Sequence, residues 1–385
     1  MNYRILFTIE SLFELGPVQE LKILTDALAA SGYDVHLAIL GEQRSEANQW
    51  LHPEIKVHLL NQDDRTPLHS LRDCFSIVPE LRKLIHTLSP DLVHAWCGQA
   101  EILTLIATRN LPLMQPLPFK HLISTRLTVP REMGLRQQIF ENYLGDNPNF
   151  TIVAPHASIK TKLIESGKLK SQIEIISNSV NPPQGAQQSS VREALRKQLG
   201  LPQDTYLAGT VAPLVHRSRL KDLIWATDLL TCIRQDFHFL IMGTGPQLNR
   251  LRRFAGLTEA ANHIHFISHP EPSLIQGLDF YWHPHFQEPI SANLLSAMAA
   301  EIPAIAVYGE GTEEIIRHQE TGFAVNFGAR DEFARWTKFL IEKPEDSKVL
   351  AQQGRELVEG AFPGNAMVNS YISLYEQKIK SAKPL

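Results

Sequence analysis

Residues 5–9, Ile-Leu-Phe-Thr-Ile, are followed by Gly16-Pro17, by Val18, Leu21, Leu24 and Leu28, by Gly32, and by the run Val35-His-Leu-Ala-Ile-Leu40. A short unbroken apolar run suits a strand buried on both faces. Proline fits the first turn of a helix, where its missing N–H is no loss. Apolar residues three and four apart share one helical face, and a glycine then ends the helix. The segment spells strand, helix, strand, and a crossover of that kind is right-handed.

Outward from this unit the alternation continues. Lys56–Leu60, Leu92–Ala95, His121–Ser124, Phe150–Ala154 and Ile173–Ile176 are further short runs, with helical patterns between most of them. The stretch from Asn181 to Ser190 breaks the series. It is polar, carries proline and glycine, and reads as a linker. A second series follows, with strands expected at Tyr206–Val211, Phe237–Met242, Ile264–Ile267, Phe280–His283, Ala304–Tyr308 and Phe323–Val325. The expected organisation is an N-terminal domain over 1–182, a linker over 183–192 and a C-terminal domain over 193–365. A final helix, about 366–385, packs back on the first domain. The fold class is α/β, two doubly wound Rossmann-like domains facing across a cleft, and such sheets bind ligands at the carboxyl ends of their strands.

Bulk properties agree. The chain has 385 residues, and a single core seldom exceeds roughly 250–300. Hydrophobic residues make up 43% and the net charge is −4. Disorder is excluded, and no whole-chain attraction to nucleic acid is expected. Cys74, Cys97 and Cys232 are far apart and form no CxxC pair, so neither a disulfide framework nor a thiolate zinc site is expected and a reducing, cytoplasmic setting fits. The first apolar run is too short for a signal peptide, and no stretch is long enough to span a membrane. Any membrane contact is expected from the surface, at the inner face. His263 with His265, and His283 with His285, share strand faces, but no third ligand is evident and no metal site is expected.

Five ordered pieces carry a resemblance. They are Gly209-Thr-Val, Leu240-Ile-Met-Gly-Thr-Gly-Pro246, Pro284-His-Phe-Gln-Glu288, Ala297-Met-Ala299 with Ile302-Pro303, and Gly311-Thr-Glu-Glu-Ile-Ile316 with Thr321-Gly-Phe323. In this order and spacing they resemble glycosyltransferase family 4, retaining transferases of the GT-B fold. Asn178-Ser-Val-Asn181 resembles that family's Asn-Gly-Val-Asp.

The resemblance implies roles for particular residues. Glu288 would hold the donor sugar's hydroxyls, since a carboxylate accepts two strengthened hydrogen bonds. The helix after it, capped by Ser291, would turn the amides of Ile290, Ala292 and Asn293 toward the diphosphate. Gly309-Glu-Gly311-Thr312 would open a second helix in the same way. Gly209, Gly243 and Gly245 would wall the nucleotide pocket. Arg217, Arg219 and Lys221 are candidate cations for the diphosphate, and with Glu288, Arg217 and Lys221 are the expected catalytic set. In the N-terminal half Gly16 stands at the family's glycine loop, where Pro17 removes an amide donor. His94, Trp96 and Arg126 stand on the acceptor side.

The implied activity is transfer from a nucleoside diphosphate sugar to a glycan, lipid or small-molecule acceptor, with retention and without a resident cofactor. Ser296 stands where the family's second glutamate belongs. Arg126 stands where it has a histidine, and arginine cannot act as a base at neutral pH. These departures keep open a catalytically degenerate GT-B protein that binds a nucleotide sugar or a partner without transfer. A nucleotide-sugar epimerase of the same fold is a third reading.

Overall fold

A computed structural model describes residues 3–12, 15–41, 51–60, 71–108, 117–126, 149–166, 172–182, 185–268, 270–285, 290–309 and 311–381. The chain forms two compact units. One comprises Met1–Asn178 with Gly364–Leu385, the other Ser179–Pro363.

The first unit is built on seven parallel strands: β1 Arg4–Ile9, β2 Asp34–Ile39, β3 Lys56–Leu59, β4 Leu92–Trp96, β5 His121–Thr125, β6 Phe150–Ala154 and β7 Ile173–Ile175. Their order is β3-β2-β1-β4-β5-β6-β7, with Ile5 in register with both Val35 and Leu92. The described helices are α1 Leu15–Ala30, α2 Leu71–Leu88, α3 Gly98–Thr108 and α4 Ala157–Glu165. Apolar side chains of α1 and of the C-terminal helix pack with Ile5, Phe7 and Ile9 in one core, while Leu6 and Val93 face a second core on the other side of the sheet. Two-sided burial is why these strands read as unbroken apolar runs.

The second unit begins with α5, Gly185–Leu199. The polar segment expected as a linker is therefore helical from Gly185. Six parallel strands follow: β8 Tyr206–Val211, β9 Phe237–Met242, β10 Ile264–Ile267, β11 Phe280–His283, β12 Ala304–Val307 and β13 Phe323–Val325, in the order β10-β9-β8-β11-β12-β13. The helices are α6 Leu220–Thr231, α7 Leu248–Ala255, α8 Ala292–Ala299, the single turn α9 Thr312–Ile315, α10 Arg330–Glu342 and α11 Pro344–Ala361. The chain ends in α12, Gly364–Ser381, whose Tyr371, Leu374 and Tyr375 are buried in the first unit. No described helix is long and apolar enough to cross a membrane.

Candidate functional site

In the second unit the strand order reverses between β8 and β11, with Gly209 of β8 in register with Tyr281 of β11. Open parallel sheets take ligands at the carboxyl ends of strands beside such a reversal. Loops leaving β8, β9, β11 and β12 carry most of the residues singled out in the sequence. Glu288 lies outside the described residues.

After β11 the chain passes His285 and reaches α8. Among the described residues, Leu295 is the first amide of this helix bonded to a carbonyl, that of Ser291 at 2.9 Å. The amides of Ala292, Asn293 and Leu294 precede the helical ladder, as first-turn amides do. Ser291 occupies the cap position, but its hydroxyl makes no capping bond, contrary to the sequence expectation. Ile290, Ser291, Ala292 and Asn293 are all buried. Asn293 adds what the sequence reading missed, a side-chain oxygen, Oδ1, that is buried and makes no hydrogen bond among the described residues. Burying an acceptor without a donor costs about 1–3 kcal/mol. Ser296 is half-buried one turn further along.

After β8 the loop forms one turn of 3₁₀ helix, His216–Ser218, then Arg219 at φ 53°. Arg219 is held by Asp222, Nε to Oδ2 at 2.6 Å, and its guanidinium lies 4.9 Å from the Phe327 ring centroid. Asp222 is buried, and its other oxygen accepts from Arg330 Nε at 2.8 Å. Arg219 and Asp222 share a small cavity with Pro284, Val307 and Gly328, at the carboxyl ends of β11 and β12. Arg217 is exposed. Lys221, expected in the catalytic set, instead puts its Nζ 4.9 Å from the ring of Phe254 on α7. Arg219 and Lys221, two residues apart at the start of α6, thus lie against different rings, Phe327 and Phe254.

The glycines act mainly on the backbone. Gly243 and Gly245, at φ 143° and 151°, lie where a Cβ would meet the carbonyl oxygens of Ala212 at 2.0 Å and Leu214 at 2.6 Å. Only glycine lets the β9 loop run so close to the β8 loop. Leu214 N–H bonds Thr244 O, and Gln247 N–H bonds Leu214 O. These glycines thus lock the two loops together. Gly209 lies inside β8, where a Cβ would strike Leu278 at 2.7 Å, so it serves packing. Gly311 precedes α9 at φ 83°, and Thr312 is buried. Thr312 Oγ1 accepts from Gly309 N–H at 2.9 Å and lies 3.0 Å from the Val307 and Gly309 carbonyls. Its hydroxyl staples the loop.

The residues expected on the acceptor side of the first unit are buried. Gly16 lies in the first turn of α1, not in an open loop. His94 is 0% exposed. Its Nδ1 meets Tyr375 Oη at 2.7 Å and its Nε2 meets Thr125 Oγ1 at 2.8 Å, so α12 closes over it. Burial drives its pKa down from 6.5 to about 3 and keeps the imidazole neutral. Trp96 is buried and donates Nε1–H to Pro17 O at 2.8 Å, which pins the start of α1. Arg126 is buried against Glu101 of α3, Nε to Oε1 at 2.5 Å. Of the histidines singled out as pairs in the sequence, His263 Nδ1 lies 2.9 Å from Phe237 O. His238 Nδ1 lies 2.9 Å from His265 Nε2, and the His283 and His285 rings are 5.2 Å apart.

Known proteins share this arrangement. Residues 191–357 match the family described as Glycosyl transferases group 1, and residues 18–112 match Glycosyl transferase 4-like. Fold and domain content together define the class as GT-B, with a glycosyltransferase-type domain in each half. Among curated relatives, the putative glycosyltransferase EpsD of Bacillus subtilis is 32% identical over 167 residues, 43% of this chain and 44% of that protein. The chain spans about half the length of the first such relatives it matches. An uncharacterized glycosyltransferase of Haemophilus influenzae is 22% identical over 92% of this chain and 94% of its own. The crystal structure of Anabaena HepE with UDP-glucose superposes with a TM-score of 0.76 at 17% identity, covering 98% of this chain and all of that one. At that identity the likeness is one of fold.

Proposed function

We infer that this protein transfers a sugar, with retention, from a nucleoside diphosphate sugar to a glycan, lipid or small-molecule acceptor. The observation that carries the reading is the start of α8. Three first-turn amides and Asn293 Oδ1, which makes no hydrogen bond among the described residues, sit after β11, beside the strand-order reversal. A helix N-terminus favours an anion through its free amides and its dipole. Asn293 Oδ1 accepts from a hydroxyl or an N–H, groups that a nucleotide sugar supplies and a bare phosphate dianion lacks. Arg219, braced by Asp222 at the ends of the neighbouring strands, is the cation best placed to meet the diphosphate.

The chemistry asked of the protein is then stabilisation of charge on the leaving diphosphate, not attack by a side chain. Glu288 keeps the sugar-holding role implied by the resemblance. Curated relatives named as glycosyltransferases, and a structural neighbour solved with UDP-glucose, support the choice of donor class.

The test is calorimetry with UDP, UDP-glucose and other nucleotide sugars, followed by turnover of any that bind. A ligand at 100 times its Kd should stabilise the fold by about 2.7 kcal/mol. Failure of every nucleotide and nucleotide sugar to bind would end the donor reading. Binding without turnover across a broad acceptor panel would favour the degenerate binder.

A further inference from the structure

On α6 the exposed apolar residues fall at Trp225, Leu229 and, just past the helix end, Ile233, which is 59% exposed. A spacing of four places them along one stripe. The stripe continues onto α7. The Phe254 ring meets Trp225 edge-on at 6.0 Å, and Asp228 accepts from Ala260 N–H at 3.0 Å, so the turn after α7 is tied alongside α6. Between those two ties stands Leu257, 81% exposed, the most exposed large apolar residue described. Isolated surface leucines are ordinary, but several joined into a patch mark a contact surface.

The rim of the patch is cationic. Lys221 lies over Phe254 and Arg330 over Trp225. Helix α7, Leu-Asn-Arg-Leu-Arg-Arg-Phe-Ala, bears Arg250, Arg252 and Arg253, all exposed, and no acid. Asp222 is committed to Arg219 and Arg330, and Asp236, past Ile233, to Arg234. Asp228 is half-buried on α6 and accepts from Ala260 N–H, and Glu259 is exposed beside Leu257. A local excess of positive charge on a chain of net charge −4 is a segregated feature, not an average one.

The geometry points to an anionic lipid bilayer as the occupant of this surface, with Trp225, Leu229, Ile233 and Leu257 entering the headgroup region and Arg250 and Arg253 meeting lipid phosphates. Helices that lie in a membrane interface combine this apolar stripe, tryptophan included, with flanking arginine and lysine. Basic residues at an anionic surface then strengthen binding in proportion to their number. The charge selects the bilayer over a second copy of this chain, whose matching face would be cationic too.

The full-length protein should sediment with vesicles of equimolar phosphatidylglycerol and phosphatidylcholine, weakly or not at all with phosphatidylcholine alone, and less as salt is raised. Arg250→Glu with Arg253→Glu should weaken that partition roughly tenfold or more. Leu229→Glu with Leu257→Glu should abolish it. Both pairs are exposed, so the melting temperature should hold. Neither pair touches the strand-end loops, so nucleotide binding is a separate readout. Failure of the wild-type protein to bind the anionic vesicles would overturn the assignment, as would binding that survives both double variants. A self-association that both variants disperse, without vesicle binding, would give the surface to a second copy and overturn it equally.

Discussion

Replacing Asn293 by leucine separates a ligand-directed acceptor from a packing residue, because the two roles predict opposite changes in stability. Asn293 Oδ1 is buried without a hydrogen bond among the described residues. Leucine is close in size and has no polar atom to desolvate. Removing an unpaired buried acceptor should return about 1–3 kcal/mol to the unliganded protein. For a unit of this size that raises the melting temperature by roughly 2–4 °C per kcal/mol. The same change removes an acceptor from the bound state. If a donor hydroxyl or N–H meets Oδ1, the affinity for a nucleotide sugar should fall by about 1.5–3 kcal/mol, roughly 10–150-fold. The assays are a thermal melt of the unliganded protein and calorimetry with UDP-glucose. A variant that melts later and binds worse fits an acceptor held ready for ligand. A variant that melts earlier and binds equally well would show that Asn293 is an ordinary packing residue, and the start of α8 would lose its claim to the site.

Two further outcomes follow from buried charge. Burial lowers the pKa of His94 to about 3 and of His121 and His238 to about 4, each from 6.5. The unfolded chain therefore binds protons that the folded chain refuses, and stability should fall as pH drops from about 6.5 toward 4 by up to about 1.4 kcal/mol per pH unit for each histidine. In urea titrations across this window, His94→Gln should remove one proton's share of that slope. An unchanged slope would mean that His94 titrates normally. Arg126→Met should cost about 3–5 kcal/mol by removing the guanidinium that pairs with the buried Glu101 carboxylate, whereas Glu101→Met with Arg126→Met should recover most of the loss. Equal stability for Arg126→Met and wild type in urea would show the pair to be dispensable to the fold, and would return Arg126 to the acceptor side.

Most strand positions were legible because a strand in a doubly wound sheet is buried on both faces and shows as a bare apolar run. Five of the six strands of the second unit carry the expected bounds, and β12 stops one residue early, at Val307. The site was legible in a different sense. Motif order located the loops, since loops at the carboxyl ends of strands follow from strand order. It could not say which atoms in them are committed to the fold. Thr312 and Gly243 satisfy every sequence criterion for a ligand contact, yet one staples its own loop and the other makes room for a neighbouring carbonyl. His94 carries chemistry in the middle of β4, but Tyr375 of α12, nearly 300 positions later, takes its Nδ1, and Thr125 of β5 takes its Nε2. Nothing local to residue 94 encodes that closure, because the partner Tyr375 belongs to a helix whose apolar face is fitted to this unit by tertiary packing alone. The converse holds for Asn293. Its amide belongs to a helix start the sequence already singled out, and what sets its side chain apart is a buried oxygen with no hydrogen bond among the described residues. Motif residues that the fold has already satisfied are therefore weaker evidence of a site than a polar atom it has left unsatisfied. By that criterion the start of α8 outranks the longer set of motif residues as the candidate centre of the proposed donor site.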